Sequence, residues 1–229
     1  MKKYLVSAVL GLCIALPAVS QSAPPASFEE KISYSMGFEV GNYFKGAGGD
    51  IQQKFLVQGI EDAYKGEKPA LTPEEMQTIQ KEFAQKMQAK QKVKMEEMKA
   101  ANHAAGVKFL EENKKKKGVT VTTSGLQYEV LKQGKGDKAK PTDKVKVEYT
   151  GTLIDGTEFD STKAHGEPAQ FQVDQVIKGW SEALQLMNVG TKLHLVIPAE
   201  LAYGENGAAP KIQPNSVLVF DVELLGIEK

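Results

Sequence analysis

The stretch VKVEYTGTLIDGTEFDS, residues 145–161, decides the fold of the second half of this chain. From Val145 to Thr150 apolar and polar residues alternate, which is typical of a strand with one buried face. Tyr149 belongs to the apolar set, so we expect its ring on the buried side of a sheet. Beyond the strand, Asp155, Glu158 and Asp160 are interpreted as solvated charges of a hairpin turn.

The same alternation recurs on both sides of this stretch, from Gly118 onward. It predicts further strands at Val119–Val121, Leu126–Val130, Phe171–Val173 and Leu193–Ile197, and the long apolar run Val217–Leu225 predicts one more. Residues 176–187 give the only helical pattern in this half, short and amphipathic. Residues 118–229 are therefore predicted to form a sheet of several strands with one helix.

Several motifs in this half occur together and in a fixed order: YTG (149–151), GTEFDS (156–161), VIKGW (176–180), AYG (202–204) and LVFDVELL (218–225). In this combination the chain resembles the FKBP-type peptidyl-prolyl cis-trans isomerase family from about Gly118 to its end. With the segments that precede it, it is most similar to the exported, macrophage infectivity potentiator-like subgroup. The resemblance implies an α+β fold with a curved antiparallel sheet around a short helix.

The resemblance also implies a binding pocket and a role for each residue in it. Trp180 would form the floor beneath a proline ring, and Ile212 would lie at the rim. The walls would be Tyr149, Phe159, Val176, Ile177 and Phe220. Three polar groups would meet the substrate: the backbone N–H of Ile177, the hydroxyl of Tyr203 and the carboxylate of Asp160. The alternative is that Trp180 and Phe220 are ordinary core residues.

Three positions depart from the family pattern. Ala169 stands where many members have an aromatic wall residue, and Ala208 replaces a common histidine. His165 stands where an arginine that pairs with the pocket aspartate is common. We therefore expect a wider pocket and a less firmly held Asp160, which leaves substrate preference and the binding of a macrolide inhibitor open.

Composition excludes other classes of function. The formal net charge is zero and all 29 basic residues are lysine, so the chain has no guanidinium for bidentate phosphate recognition and nucleic acid is not an expected partner. His103, His165 and His194 lack metal-ligand spacing, and we expect neither a metal nor a cofactor. Prolyl isomerisation needs neither, since it rotates an amide bond without breaking one.

Residues 1–23 have the three-part pattern of a secretory signal peptide, with cleavage predicted after Ser20 or Ala23. The apolar run from Leu5 to Val19 is too short for an ordinary membrane span. The only cysteine, Cys13, lies within it, so the mature chain would contain no thiol. We expect an exported protein that is periplasmic, with the outer surface as an alternative.

Three helices are predicted between this segment and the sheet. The first starts at Ser27, and glycines from Gly46 onward end it; the second spans Asp50–Tyr64. The third begins at Thr72, whose side chain and that of Glu75 form a capping box, and it extends to about Lys117. Residues 72–117 are predicted to be a long, exposed linking helix, because its surface is polar on nearly all sides beyond Lys90. The run Lys114–Lys117 is interpreted as complementing the helix dipole rather than as a phosphate site.

Residues 24–71 and the start of the third helix are too few to bury a comfortable core alone. We therefore expect a dimerisation domain in which Met36, Phe38, Phe55 and Met87 contribute to a core shared by two copies. A monomeric cap packed on its own isomerase domain is the alternative. The expected partners are unfolded or partly folded proteins with X–Pro bonds. A holdase chaperone and a surface interaction protein remain alternative functions.

Overall fold

The computed structural model describes residues 23–47 and 51–228, which divide between two compact units, residues 1–81 and 82–229. The predicted signal peptide lies outside the described residues except for Ala23. Among the helices that are described, none has both the length and the apolar composition needed to cross a bilayer.

The first unit contains helix α1 (Phe28–Ala47), helix α2 (Gln53–Lys65) and the start of helix α3 (Pro73–Asn113). The predicted capping box at Thr72 is present: Glu75 N–H donates to Thr72 Oγ1 at 3.2 Å, and Thr72 N–H donates to Glu75 Oε2 at 2.8 Å. Ser27 and Glu30 form a second such box at the start of α1. No residue of α2 is buried, so this unit has little core of its own.

Helix α3 differs from the prediction at its C-terminal end. It ends at Asn113 rather than Lys117, because the amides of Lys115 and Lys116 turn back to carbonyls three residues earlier. Asn113 is buried and its side-chain amide donates to Gln127 Oε1 at 3.0 Å. Gly106 is buried as well. The prediction of an exposed helix is therefore wrong for its end, which packs within the second unit.

The second unit is built on one antiparallel sheet of seven strands among the described residues. They are β1 (Val119–Val121), β2 (Gln127–Lys132), β3 (Lys144–Leu153), β4 (Glu158–Ser161), β5 (Ala169–Gln172), β6 (Lys192–Ile197) and β7 (Leu218–Glu228). Their order is β1-β2-β6-β7-β3-β4, and β5 pairs with the first part of β3. Helix α4 (Thr162–His165) follows β4, and helix α5 (Lys178–Leu186) packs its buried face into the core of the sheet. The α+β prediction is confirmed.

The hairpin after β3 is tighter than predicted. The turn is confined to Leu153–Thr157, where Leu153 N–H donates to Thr157 O at 2.9 Å. Glu158 and Asp160 consequently lie in β4, with Asp160 opposite Gly151 of β3. The interpretation of these two carboxylates as turn residues is wrong, because strand pairing with β3 resumes directly after the turn.

Candidate active site

Five aromatic rings from five different elements meet on the buried side of the sheet. We call them the aromatic cluster: Tyr149 of β3, Phe159 of β4, Phe171 of β5, Trp180 of α5 and Phe220 of β7. Trp180 is central, with ring centroids 5.1 Å from Tyr149, 5.2 Å from Phe220 and 5.6 Å from Phe171. All three contacts are edge-to-face, which is a favoured geometry for aromatic pairs. The structure thus brings together four rings that the sequence singled out and adds Phe171.

Glycines in two of the motifs explain why the rings can approach. Gly151 lies opposite Phe220 in the β3–β7 pairing, and a Cβ there would lie 2.7 Å from both Phe159 and Phe220. A Cβ on Gly179 would collide with Ile197 of β6, so this glycine lets α5 sit close to the sheet. The YTG and VIKGW motifs therefore each combine a ring with the small residue that makes room for packing.

The cluster is buried on one side and bordered by accessible groups on the other. Trp180 is only 4% exposed, and its indole N–H has no acceptor among the described residues. Val176 and Ile177, which precede it, are half-buried, whereas Tyr203 is 42% exposed. Trp180 and Phe220 are members of the main core, as the alternative interpretation required, and they also belong to the aromatic cluster.

Asp160 lies at the border of the cluster between two partners. Tyr149 donates its hydroxyl to Asp160 Oδ2 at 2.6 Å, and His165 Nε2 lies 2.9 Å from Asp160 Oδ1. Burial opposes ionisation of Asp160, but the hydrogen bonds from Tyr149 and His165 outweigh it, and the pKa of this carboxyl is lowered. Burial, and then the bond to Asp160, raise the pKa of Tyr149.

His165 therefore takes part in the site in place of the expected arginine. Helix α4 places it there, since Ser161 Oγ accepts a hydrogen bond from Ala164 N–H and starts the turn that ends at His165. An imidazole nitrogen makes one contact with a carboxylate, whereas a guanidinium can make two. Asp160 is held all the same, because Tyr149 supplies the second bond.

The loop between Tyr203 and β7 carries two of the remaining predicted residues, Ala208 and Ile212, and β5 carries the third, Ala169. Ala208 and Ile212 pair through two backbone hydrogen bonds of 2.8 and 2.9 Å. Ile212 is buried in the same core as the aromatic cluster, and Ala208 packs against that core. Ala169 begins β5 opposite Val147, and it too borders the core.

Two hydrogen-bond donors at the border of the cluster are available for substrate carbonyls. Within the described chain, the backbone N–H of Ile177 donates to no other group, because Ile177 precedes the first turn of α5. The hydroxyl of Tyr203 likewise has no hydrogen-bond partner among the described residues. These two donors and the Asp160 carboxylate are the polar groups at the border of the aromatic cluster.

Two residues near the cluster were not predicted as part of the site. Phe171 follows Ala169 by two residues and so shares its face of β5, a signal that was present in the sequence. Lys211 donates from Nζ to the carbonyl of Phe159 at 2.7 Å and ties the loop to β4. No local pattern indicates that contact, because the two residues are 52 positions apart.

A cavity of about 510 Å³ on the outer face of the sheet is a different kind of site. It is lined mainly by charged residues, including Glu148, Lys192, Asp221 and Glu223, and it shares only Tyr149 with the aromatic cluster. His194 lies on this face and contacts Asp221 at 2.7 Å. Charged walls do not favour an apolar proline ring, so this cavity is not the candidate site. No cluster among the described residues has the composition to bind a metal ion.

Comparison with known proteins agrees with this geometry. A family model described as FKBP-type peptidyl-prolyl cis-trans isomerase matches residues 135–225. A second, described as the domain amino terminal to FKBP-type peptidyl-prolyl isomerase, matches residues 29–130.

Relatives of similar length match along most of the chain. An outer membrane protein MIP of Legionella longbeachae is 41% identical over 99% of this chain and 98% of its own. An FKBP-type 22 kDa peptidyl-prolyl cis-trans isomerase of Escherichia coli K12 is 48% identical over 88% of this chain and 96% of its own. The crystal structure of FkpA from Escherichia coli has a TM-score of 0.73 at 39% identity and covers 88% of this chain and 97% of that one. The chain therefore belongs to the FKBP-type peptidyl-prolyl cis-trans isomerases.

Proposed function

We propose that the aromatic cluster and its polar border are the catalytic site, and that it accelerates X–Pro isomerisation in folding proteins. The observation that supports this most directly is the position of Trp180 among three further rings, next to an ionised Asp160 and two unpaired donors. Such a site can bind a proline ring and hold the polar atoms of the flanking peptide.

The reaction requires only that the site weaken amide resonance. The barrier to rotation is about 18 to 20 kcal/mol and arises from the partial double bond of the imide. Water around the imide carbonyl favours the planar, charge-separated form, so transfer into an aromatic pocket lowers the barrier. A pocket that holds the twisted imide better than either planar form adds to this effect.

Each residue then has a physical role. Trp180, Phe159 and Phe220 exclude water from the proline ring, with Tyr149, Val176 and Ile212 around them. The Ile177 N–H and the Tyr203 hydroxyl donate to substrate carbonyls and orient the peptide. The Asp160 carboxylate, kept ionised by Tyr149 and His165, places negative charge beside the twisting imide.

A matched pair of aspartates tests this proposal. Asp160 and Asp221 both contact a histidine, at 2.9 and 2.7 Å, but lie on opposite faces of the sheet. Asp160→Asn is expected to lower kcat/KM for a proline peptide at least about tenfold, which is a loss of about 1.4 kcal/mol of transition-state stabilisation. Asp221→Asn is expected to leave kcat/KM unchanged. Equal rates for the two variants would refute the assignment. Tyr203→Phe and Trp180→Ala are expected to lower the rate as well.

The wider role proposed here is that of an exported homodimer acting on unfolded or partly folded proteins in the periplasm. Large apolar side chains of the first unit are exposed in the single chain: Phe28 (76%), Met36 (61%), Phe38 (59%) and Phe55 (60%). An apolar cavity of about 500 Å³ is lined by residues of α2 and the segment after it, among them Phe55 and Leu71. A second copy covering this surface would supply the missing core. Light scattering that gives a monomer mass at micromolar concentration would exclude the dimer.

A holdase activity is the second candidate, since the same exposed surface suits unfolded chains. Suppression of aggregation of a client without a proline-limited folding step distinguishes the two functions. If both activities exist, Asp160→Asn is expected to lower kcat/KM for the proline peptide at least about tenfold and to leave the suppression of aggregation intact.

Titration of the Trp180 emission with a macrolide would test whether that inhibitor binds despite Ala169 and Ala208.

A further inference from the structure

The loop of residues 204–217 determines where several site residues lie. It starts directly after Tyr203, carries Ala208 and Ile212, and leads into β7. Ile212 is 6% exposed and belongs to the core that contains Trp180. The loop has no regular helix or strand beyond a short 3-10 turn at Gly204–Asn206, so contacts from outside must hold it.

Helix α3 supplies such contacts through two asparagines. Asn102 donates from Nδ2 to the carbonyl of Pro214 at 2.8 Å and lies 3.3 Å from Gln213 Oε1. In the opposite direction, Asn215 donates from its own Nδ2 to the carbonyl of Lys99 at 3.2 Å. The helix and the end of the loop thus hold each other by reciprocal side-chain amides.

The backbone at Asn215 is shaped for this exchange. Its φ of 57° makes it the one non-glycine residue with positive φ in the described chain, and asparagine tolerates this region better than most residues. Its N–H also donates to the carbonyl of Gly204 at 2.9 Å, which joins the two ends of the loop. One residue therefore fixes the closure of the loop and its attachment to α3.

The helix can approach only because Gly106 has no side chain. A Cβ at Gly106 would lie 2.8 Å from Val217 Cγ2, and Val217 is buried. A glycine in the middle of a helix is destabilising by about 1 kcal/mol relative to alanine, so its presence here has a packing reason. The ion pair of Lys99 with Glu205, 3.7 Å apart and exposed at Glu205, adds little.

We propose that Asn102 and Asn215 are positioning residues of the isomerase, and that the 99–106 segment of α3 is a structural part of its active site. They fix loop 204–217, and through it the Tyr203 hydroxyl and the Ile212 rim. This inference rests on the proposed roles of Tyr203 and Ile212. It predicts that the 99–106 segment of α3 contributes to turnover although none of its residues is a member of the aromatic cluster.

The main test is a double variant of the full chain, Asn102→Ala with Asn215→Gly. Glycine keeps the positive φ of residue 215, and alanine raises the helix propensity of α3, so both changes remove hydrogen bonds without opposing the backbone. We expect kcat/KM to fall about three- to tenfold, because the loop loses the three side-chain hydrogen bonds that attach it to α3. Amide hydrogen exchange should quicken in residues 204–217 and stay unchanged in β3.

The matched control is Gln91→Ala. Gln91 is an exposed amide on the same helix that makes no side-chain hydrogen bond among the described residues. Its kcat/KM and the exchange of the loop should equal those of the parent. The proposal would be overturned if amide exchange in the loop is faster in the double variant but kcat/KM stays within twofold of the parent. The hydrogen bonds of Asn102 and Asn215 would then attach α3 to the loop without affecting turnover.

Gly106→Ala is an independent second perturbation. It strengthens the helix but forces α3 away from Val217, so it should lower kcat/KM and quicken loop exchange without loss of helical circular dichroism. An unchanged kcat/KM in this variant as well would count against the inference. Asp160→Asn, measured alongside, distinguishes failure of the proposed catalytic site from failure of the positioning role. If Asp160→Asn reduces kcat/KM and the α3 and loop variants do not, only the positioning role is refuted. If Asp160→Asn has no effect, the proposed site itself fails.

Discussion

Gly151→Ala is the sharpest test of the aromatic cluster, since it adds one methyl group at a known place. The new Cβ would lie 2.7 Å from Phe159 Cζ and 2.7 Å from Phe220 Cε1, well inside van der Waals contact. Both rings are buried and are themselves packed edge-to-face at a centroid distance of 5.5 Å, so neither can move freely. Overpacking of this kind costs about 1 to 3 kcal/mol.

Gly226→Ala is the matched control for this substitution. Gly226 also lies in a strand of the same sheet, but no atom lies within 4 Å of its added Cβ. Replacing glycine by alanine restricts the unfolded chain in both variants and stabilises by about 0.4 to 1 kcal/mol where there is no clash. The difference between the two variants therefore isolates the collision with the rings.

Urea unfolding, read from the emission of Trp180, measures the stability of both variants. We expect Gly226→Ala to equal or exceed the parent, and Gly151→Ala to lie about 1 to 3 kcal/mol below Gly226→Ala. Because the displaced rings line the proposed pocket, kcat/KM should fall about tenfold in Gly151→Ala alone. If both variants show the same stability and the same turnover, the packing of Phe159 against Phe220 across Gly151 is wrong.

Two further predictions concern ionisation and helix capping. The lowered pKa of Asp160 means that its ionised form stabilises the fold at all pH values above its ordinary pKa of about 3.9, and that this contribution is lost as pH falls through the lower folded value. The check is the ratio of kcat/KM for the parent to kcat/KM for Asp160→Asn, measured without a coupling protease. This ratio should stay constant from about pH 7 to about pH 5 and decline only below about pH 4. A decline near neutral pH would contradict the ionised state of Asp160. Thr72→Ala removes the acceptor for Glu75 N–H and should weaken the start of α3 by about 1 kcal/mol, seen as faster hydrogen exchange in its first turn with kcat/KM unchanged. Slower turnover in that variant would contradict a purely local role.

Local patterns in the sequence were sufficient for most elements of the fold. Alternation around Tyr149 and Phe220 reflects one buried face of a sheet, and that rule applies whatever the strands pair with. The capping box at Thr72 depends on groups only three residues apart, and it is present as predicted. The family motifs added the rings, since their order and spacing are themselves sequence information.

What the sequence missed depends on residues that are far apart along the chain. The local density of charge around Asp160 indicates a solvated turn, whereas pairing with β3 puts this residue in a strand beside Tyr149. Nothing in the sequence around Gly106 indicates that Val217, more than 100 residues away, packs against it.

The sequence by itself determined most of the strands and helices, four of the five rings of the aromatic cluster and the family of this protein, because these follow from periodicity and from motifs that are contiguous or nearly so. Only the tertiary structure decided that Lys211 reaches the carbonyl of Phe159, 52 residues away, and that Asn102 of α3 reaches Pro214, 112 residues away. The local sequence does not indicate which group an asparagine side chain will bind or which residue will pack against a glycine. Both depend on the distant residues that folding brings next to them.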